Sequence, residues 1–153
     1  MKRAFTIVEI LIYMGLMAGF LVILGSILIS VLDVQLETQS VSAVEQDGRY
    51  IMARLAYDIH RASSISTPGT AGLTTNSLGL DIGTYAVVSG NLQFAGQNLN
   101  SYDSQITGFT VTRLGTTTHP SLQITLDLAS RSSQITGVAK TKSYLSTVSL
   151  RDK

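Results

Sequence analysis

A run of almost uninterrupted apolar residues from Phe5 to Leu32 constrains the fold of this chain more than any other feature. Glu9 is the only formally charged side chain within it, and Lys2 and Arg3 precede it. A helix of this length reaches roughly 40 Å, enough to cross a hydrocarbon core of about 30 Å with some tilt. Because cationic flanks stay on the cytoplasmic side, the sequence predicts a single-pass membrane helix with its N-terminus in the cytoplasm and the rest outside.

A cleaved secretory signal peptide is the rival interpretation of the same segment. The apolar region of such a peptide covers about 7–15 residues and ends at a small-x-small cleavage site. The run in this chain is about twice as long, and no such site precedes a polar start of a mature protein. The sequence therefore predicts that the apolar segment stays with the protein.

Glu9 is an acid in a segment where acids are rare. Placing an ionised acid in a bilayer costs about 3 kcal/mol on insertion scales, and such residues usually mark function with a partner. The alternative is that Glu9 lies at the headgroup boundary, where a charged side chain near a helix end reaches water and needs no partner.

The residues around Glu9 match a known pattern. The stretch Arg3–Ile12 resembles the processing signal of type IV pilins and type II secretion pseudopilins: a basic leader, a small residue, Phe, a few apolar or hydroxyl residues, Glu and a long apolar helix. The resemblance implies cleavage after Ala4 by a membrane prepilin peptidase, followed by N-methylation of Phe5. The family usually has Gly before the cut, so Ala4 is a departure that implies slower or relaxed processing.

The resemblance also implies a role for Glu9 in filament assembly. Cleavage after Ala4 would create a cationic amino group on Phe5, four residues from Glu9 and on the same helix face. By the spacing alone, the amino group that neutralises Glu9 belongs either to its own chain or to a packed neighbour. The family role implies the neighbour, with the pair setting the axial register as a subunit leaves the membrane for the filament.

Small residues along the same helix suit close contact with other helices. Gly15 and Gly19 form one small-x-x-x-small pair, and Ser26 and Ser30 form another. Glycine is common in membrane helices in any case, so each pair is either a packing surface or background.

Beyond Leu32 the pattern becomes that of an amphipathic helix. Apolar or small residues recur at steps of three and four, at Val41, Val44, Gly48, Ile51, Leu55, Ile59 and Ala62. Pro68 and Gly69 predict that the helix stops near Ser64–Thr67. Glu45 and Arg49 have i,i+4 spacing, which suits an ion pair or simply a solvated face.

The remainder of the chain has β-type runs between turn residues. The predicted strands are Leu78–Ile82, Tyr85–Val88, Leu92–Ala95, Ile106–Leu114, Leu122–Leu128 and Tyr144–Leu150. Ser89-Gly90-Asn91 predicts a hairpin turn, and the alternation Leu122, Ile124, Leu126, Leu128 predicts one buried face. An antiparallel sheet laid on the amphipathic helix would bury both apolar surfaces.

The predicted fold class is therefore α+β, with one long N-terminal helix packed against a small antiparallel β-sheet, and this order again resembles the pilin fold. We expect a leader peptide at 1–4, a membrane and filament-core helix at 5–32, an amphipathic helix at 33–67 and a β-sheet head at 68–153. The stretches Gly48–Ile65 and Leu145–Arg151 are similar to minor pilins and J-type pseudopilins in particular.

The sequence has few residues in patterns typical of catalysis, and we expect that the protein is not an enzyme. The chain has no cysteine, which excludes thiol chemistry, and His60 and His119 lack metal-ligand spacing. Asn98, Asn100, Ser101 and Asp103 form a weak candidate for Ca²⁺ and are better explained as a turn-rich loop. No other cofactor is expected, and the mildly basic last quarter lacks the interleaved aromatic residues that would favour nucleic acid.

Three hypotheses of different classes follow. In the first, which the resemblance favours, the chain is a structural subunit, minor or initiating, of a pilus-like or secretion filament. Its implied partners are other pilins, the prepilin peptidase, an inner-membrane assembly platform and, before assembly, the bilayer. In the second it is a binding module on such a filament, for adhesion or DNA uptake. In the third it is a membrane-anchored β-domain in which Glu9 is coincidental.

Overall fold

The computed structural model of the chain describes residues 6–115, 120–131 and 140–150. These residues form one helix followed by strands, and they divide into two compact units, residues 1–37 and 38–153. The helix, α1, covers Ile7–Arg61. The strands are β1 (Ile65–Thr67), β2 (Thr74–Thr75), β3 (Ser77–Leu80), β4 (Gly83–Val88), β5 (Asn91–Phe94), β6 (Gln97–Asn98), β7 (Ser104–Gly115), β8 (Pro120–Ser130) and β9 (Thr141–Ser149).

The first unit contains the apolar part of α1. Its large apolar side chains between Ile7 and Leu32 are 45% to 79% exposed in the single chain. An 18-residue window of this helix has a mean hydropathy of 2.5, so α1 is long and apolar enough to cross a membrane.

In the second unit, the later turns of α1 supply one side of the hydrophobic core. The buried residues of α1 all belong to the predicted amphipathic face or lie one helical step from it: Ser40, Val44, Gly48, Ile51, Leu55, Asp58 and Ile59. They recur at steps of three and four because those positions share one face of a helix. The period read from the sequence is therefore confirmed as the buried face from Val44 onward, whereas Val41, the first residue of the predicted face, is 38% exposed.

The helix ends earlier than its sequence predicts. It stops at Arg61 rather than near Ser64–Thr67. Ile65–Thr67 instead forms β1, which pairs antiparallel with β3. The main-chain N–H of Ser63 donates to both carboxylate oxygens of Asp81, at 3.1 Å each, so the chain leaves the helix to join a sheet.

Two antiparallel sheets complete the head, where the sequence predicts one small sheet. The first sheet has the order β1-β3-β4-β5-β6, and the second has the order β2-β7-β8-β9. All six predicted strands are present, with bounds shifted by at most three residues. The sequence misses β1, β2 and β6 because strands of two or three residues are too short to show a period.

The strands also confirm two finer predictions. Ser89 and Gly90 have φ of 51° and 75°, the two positive values that a type I′ hairpin turn requires, and they join β4 to β5. Leu122, Ile124, Leu126 and Leu128 of β8 are all fully buried. The fold is thus α+β, with one long helix packed against antiparallel β-sheets.

Candidate functional site

The side chain of Glu9 lies in the first turns of α1, among exposed apolar residues. Its main-chain N–H donates to Oγ1 of Thr6 at 3.3 Å, so Thr6 caps the helix. Its carboxylate Oε1 accepts a hydrogen bond from the Tyr13 hydroxyl at 3.4 Å, one turn further along. Both the main-chain N–H and the side chain of Glu9 therefore have hydrogen-bond partners within its own helix region.

Thr6 and Tyr13 are site residues that sequence reasoning missed. The signal for Thr6 is the spacing Thr6-x-x-Glu9, which is the pattern of a helix capping box. The signal for Tyr13 is its i,i+4 spacing from Glu9. The predicted cleavage and methylation residues, Ala4 and Phe5, lie outside the described residues.

The predicted helix-packing glycines have open space around them. A Cβ atom added to Gly15 or to Gly19 would have no heavy atom of another element within 4 Å. The Ser26 hydroxyl donates to the Ile23 carbonyl at 2.8 Å, so it is already bonded within the helix. Another backbone can therefore approach the glycine pair without displacing any described part of the chain.

Beside Glu9 begins an apolar groove along one stripe of α1. Its residues follow helical steps of three and four and are Ile10, Tyr13, Met14, Met17, Ala18 and Leu21. Tyr13 belongs both to this groove and to the hydrogen bond with Glu9.

The head contains a second acid among apolar residues, Asp58, which the sequence does not single out. Asp58 is 1% exposed, and its Oδ2 accepts hydrogen bonds from Arg54 Nε at 2.8 Å and from the Tyr85 hydroxyl at 2.5 Å. Burial, with the hydrogen bond to Asp58, raises the pKa of Tyr85 far above its ordinary value of 10.0. The hydrogen bond that Arg54 donates to Asp58, together with the charge of Asp58, raises the pKa of Arg54. All three groups satisfy one another, so they tie α1 to β4.

The residues of the weak calcium candidate serve as links within the protein. Asn100 is 8% exposed, and its Oδ1 accepts the main-chain N–H of Leu92 at 3.0 Å. Its Nδ2 donates to Asn91 Oδ1 at 3.1 Å and to the Ser104 carbonyl at 2.9 Å. Because the amide of Asn100 bonds to protein atoms in both directions, it holds β5 against the start of β7.

Asn98 and Ser101 also bond to protein atoms, and the main-chain oxygen of Asp103 accepts the N–H of Arg131. Asn98 Oδ1 accepts from Gln93 Nε2 at 2.9 Å. Asp47 of α1 accepts from the main-chain N–H of Ser101 at 2.8 Å and from the Ser104 hydroxyl at 2.5 Å. Within the described ranges no three His, Asp or Glu side chains come together as they would around a metal ion. These hydrogen bonds attach the loop to α1 through Asp47, a residue that the sequence did not single out.

A further polar contact joins α1 to the edge strand β9. Lys142 of β9 forms an ion pair with Glu45, and Arg49 lies 3.5 Å from the same carboxylate at the predicted i,i+4 spacing. The hydrogen bond and the charge of Lys142 hold the pKa of Glu45 below its ordinary value of 4.5. Nearby, the ring of Tyr144 lies directly over Gly48.

The structure describes one of the two histidines. His60 is exposed on α1, and His119 lies outside the described residues.

Comparison of the chain with models of protein families, with curated proteins and with solved structures finds no match. The arrangement around Glu9 and the head that α1 supports are therefore interpreted from the residues themselves.

Proposed function

We propose that this chain is a structural subunit of a filament of the type IV pilus or type II secretion pseudopilus kind. The observation that carries the proposal is that the two halves of α1 have different surfaces. Its first turns present an exposed apolar surface with one acid, Glu9, and its later turns form one side of the core of a folded head. A chain built in this way can exchange lipid for neighbouring helices without refolding its head.

Several features support a filament subunit over a plain membrane anchor. A plain membrane anchor needs only an apolar helix of sufficient length. An acid near the start of that helix raises the free energy of membrane insertion without a compensating interaction. The resemblance of Arg3–Ile12 to the prepilin signal gives that acid a partner. The open space around Gly15 and Gly19 suits close packing of helices.

The proposed mechanism begins in the cytoplasmic membrane, with the head on the outer side. A prepilin peptidase cuts the bond between Ala4 and Phe5, and the new amino group is methylated. The amino group of one subunit then pairs with Glu9 of its neighbour, which fixes how far each subunit rises along the filament axis. An inner-membrane platform would supply the force that extracts the subunits.

The processing step is tested by expressing the chain with and without an active prepilin peptidase and measuring its intact mass. We expect a product that begins at N-methylated Phe5 only when the peptidase is present. Ala4→Gly should speed this conversion because it restores the usual residue before the cut. A chain that keeps Met1 in the presence of the active peptidase would contradict the proposal.

The role of Glu9 is tested by Glu9→Ala in the processed chain. Membrane insertion should be unchanged, whereas the fraction recovered in sheared filaments should fall by about tenfold or more, because a charge-assisted hydrogen bond is lost. Asp103→Ala, which removes an exposed acid of the head, is the matched control and should behave as the wild type. Equal incorporation of the two variants would remove the proposed role of Glu9.

A further inference from the structure

Tyr13 is a residue of α1 beside Glu9 that the proposed mechanism does not use. Its hydroxyl is the donor that the structure places on the Glu9 carboxylate, at 3.4 Å. The ring is 55% exposed and lies on the apolar stripe of α1, so it is free to follow the carboxylate.

Glu9 has a possible hydrogen-bond partner on each side of it in the sequence. Phe5 lies four residues before Glu9, and Tyr13 lies four residues after it. Residues four apart share a helix face, so the Tyr13 phenol reaches the carboxylate from its own helix, where the amino group of a neighbouring subunit would compete for the same oxygens. A carboxylate surrounded by apolar residues needs a hydrogen-bond donor, because leaving it without one is costly.

We propose that Tyr13 is a positioning residue for Glu9: its hydroxyl holds the carboxylate against the chain's own helix until the amino group of a neighbouring subunit replaces it. This inference rests on the proposed function and adds a regulated step to it. The exchange sets how readily a membrane-resident subunit joins the filament. An oxygen–oxygen distance of 3.4 Å suits such a role, because it is longer than that of a strong hydrogen bond and the contact is therefore easily replaced.

The contact itself is tested without any filament, on the full-length chain in membrane vesicles. The probe is dicyclohexylcarbodiimide, an apolar reagent that reacts at carboxyl oxygens, and the adduct on Glu9 is identified by its absence in Glu9→Gln. Tyr13→Phe keeps the ring and removes the hydroxyl, so it should increase the labelling of Glu9 by about threefold or more. Tyr13→Gln, which restores an N–H donor, should return the labelling to near the wild-type level.

Tyr50→Phe is the matched control. Tyr50 lies on the same helix and is 51% exposed, close to the exposure of Tyr13, but it is far along the chain from Glu9. It should label as the wild type does. Equal labelling in Tyr13→Phe and in the wild type would overturn the inference.

The consequence for assembly is tested by a double-mutant comparison in cells that process the chain. Tyr13→Phe should raise the share of subunits in sheared filaments by about two- to tenfold, the range that the loss of one hydrogen bond allows. The same change in the Glu9→Gln background should have no effect, since the carboxylate that Tyr13 holds is gone. An effect of equal size in both backgrounds, or none in either, would overturn the inference. Failure of processing would instead refute the proposed function, and the carbodiimide measurement would still decide the contact.

Discussion

Glu9 and Asp58 are both acids of α1 with apolar neighbours, and their surroundings differ. Glu9 is half-buried in the single chain, and within the described residues its side chain accepts one long hydrogen bond, from Tyr13. Asp58 is buried and has two short hydrogen bonds, from Arg54 and Tyr85. An acid with a complete set of donors is a structural element, whereas an acid with one replaceable donor is available for another partner.

Asp58→Ala should destabilise the head by about 2–3 kcal/mol, because it leaves the buried Tyr85 hydroxyl and the guanidinium of Arg54 without an acceptor. The measurement is urea unfolding of the full chain in detergent, followed by the near-ultraviolet signal of the tyrosines. Asp103→Ala, at an exposed position, should change the stability by less than about 0.5 kcal/mol. Similar losses in both variants would contradict the role assigned to Asp58.

Gly48 is a second residue with a role that only the packing reveals. A Cβ atom at this position would overlap the ring of Tyr144. Gly48→Leu should therefore cost about 1–3 kcal/mol, the range for overpacking, although leucine favours helix more than glycine does. Ala53→Leu tests the same substituent at an exposed position of α1 and should be nearly neutral in the same unfolding assay. Two equally stable variants would show that Tyr144 does not need the space.

At the scale of elements, α1 is one helix with two different environments. The apolar residues of its first half are exposed on every face, which is unsuitable for a water-soluble domain. Its second half has one buried face, and polar contacts fix both sides of it: Asp58 to β4 and Glu45 to β9. These contacts determine where the two sheets lie on the helix.

The contact between α1 and β9 predicts a dependence of stability on pH. The pKa of Glu45 is lowered by Lys142, so the folded state binds a proton at Glu45 less readily than the unfolded state does. Its contribution is complete above the ordinary pKa of 4.5 and is lost as the pH falls through the lowered value. Asp81, whose pKa is lowered by the main-chain N–H of Ser63, acts in the same direction.

Glu45→Gln should therefore reduce the slope of stability against pH for the full chain between about pH 6 and about pH 3. The measurement is the midpoint of thermal unfolding in detergent as a function of pH. Asp103→Asn, a matched loss of an exposed acid, should leave the slope as it is in the wild type. A slope that Glu45→Gln does not change would show that the pair with Lys142 contributes no stability.

At the scale of the whole molecule, the core is contained within the second unit. Every buried apolar residue of the core cluster lies between Val44 and Val148, inside the unit of residues 38–153. The fragment 38–153 should consequently be soluble and fold with a cooperative thermal transition, whereas a fragment that starts at Tyr57 should not fold, because it lacks Ile51 and Leu55. Size-exclusion chromatography and calorimetry of the two fragments test this. Aggregation of 38–153 would show that the head depends on the apolar unit.

Much of the fold is predictable from the sequence because its signals are local periods. The three- and four-residue steps from Val44 to Ala62 and the alternation from Leu122 to Leu128 each describe a single element, and both are buried faces in the structure. The sequence predicts that α1 ends a few residues beyond its actual end, because Pro68 is the local stop signal. The actual stop at Arg61 depends on pairing between β1 and β3, which no local pattern contains.

The sequence by itself determined that the chain has a membrane-length apolar helix with one acid, an amphipathic continuation and an antiparallel β head. Hydropathy and periodicity carry this information because they follow from the residues along one helix or strand. Only the tertiary structure decided that there are two sheets, that Asp58 is buried against Tyr85, that Lys142 reaches Glu45 and that Asn100 links two strands. These contacts join residues that are 8 to 97 positions apart in the chain, and the packing of the helix and sheets, rather than any local preference, brings them together.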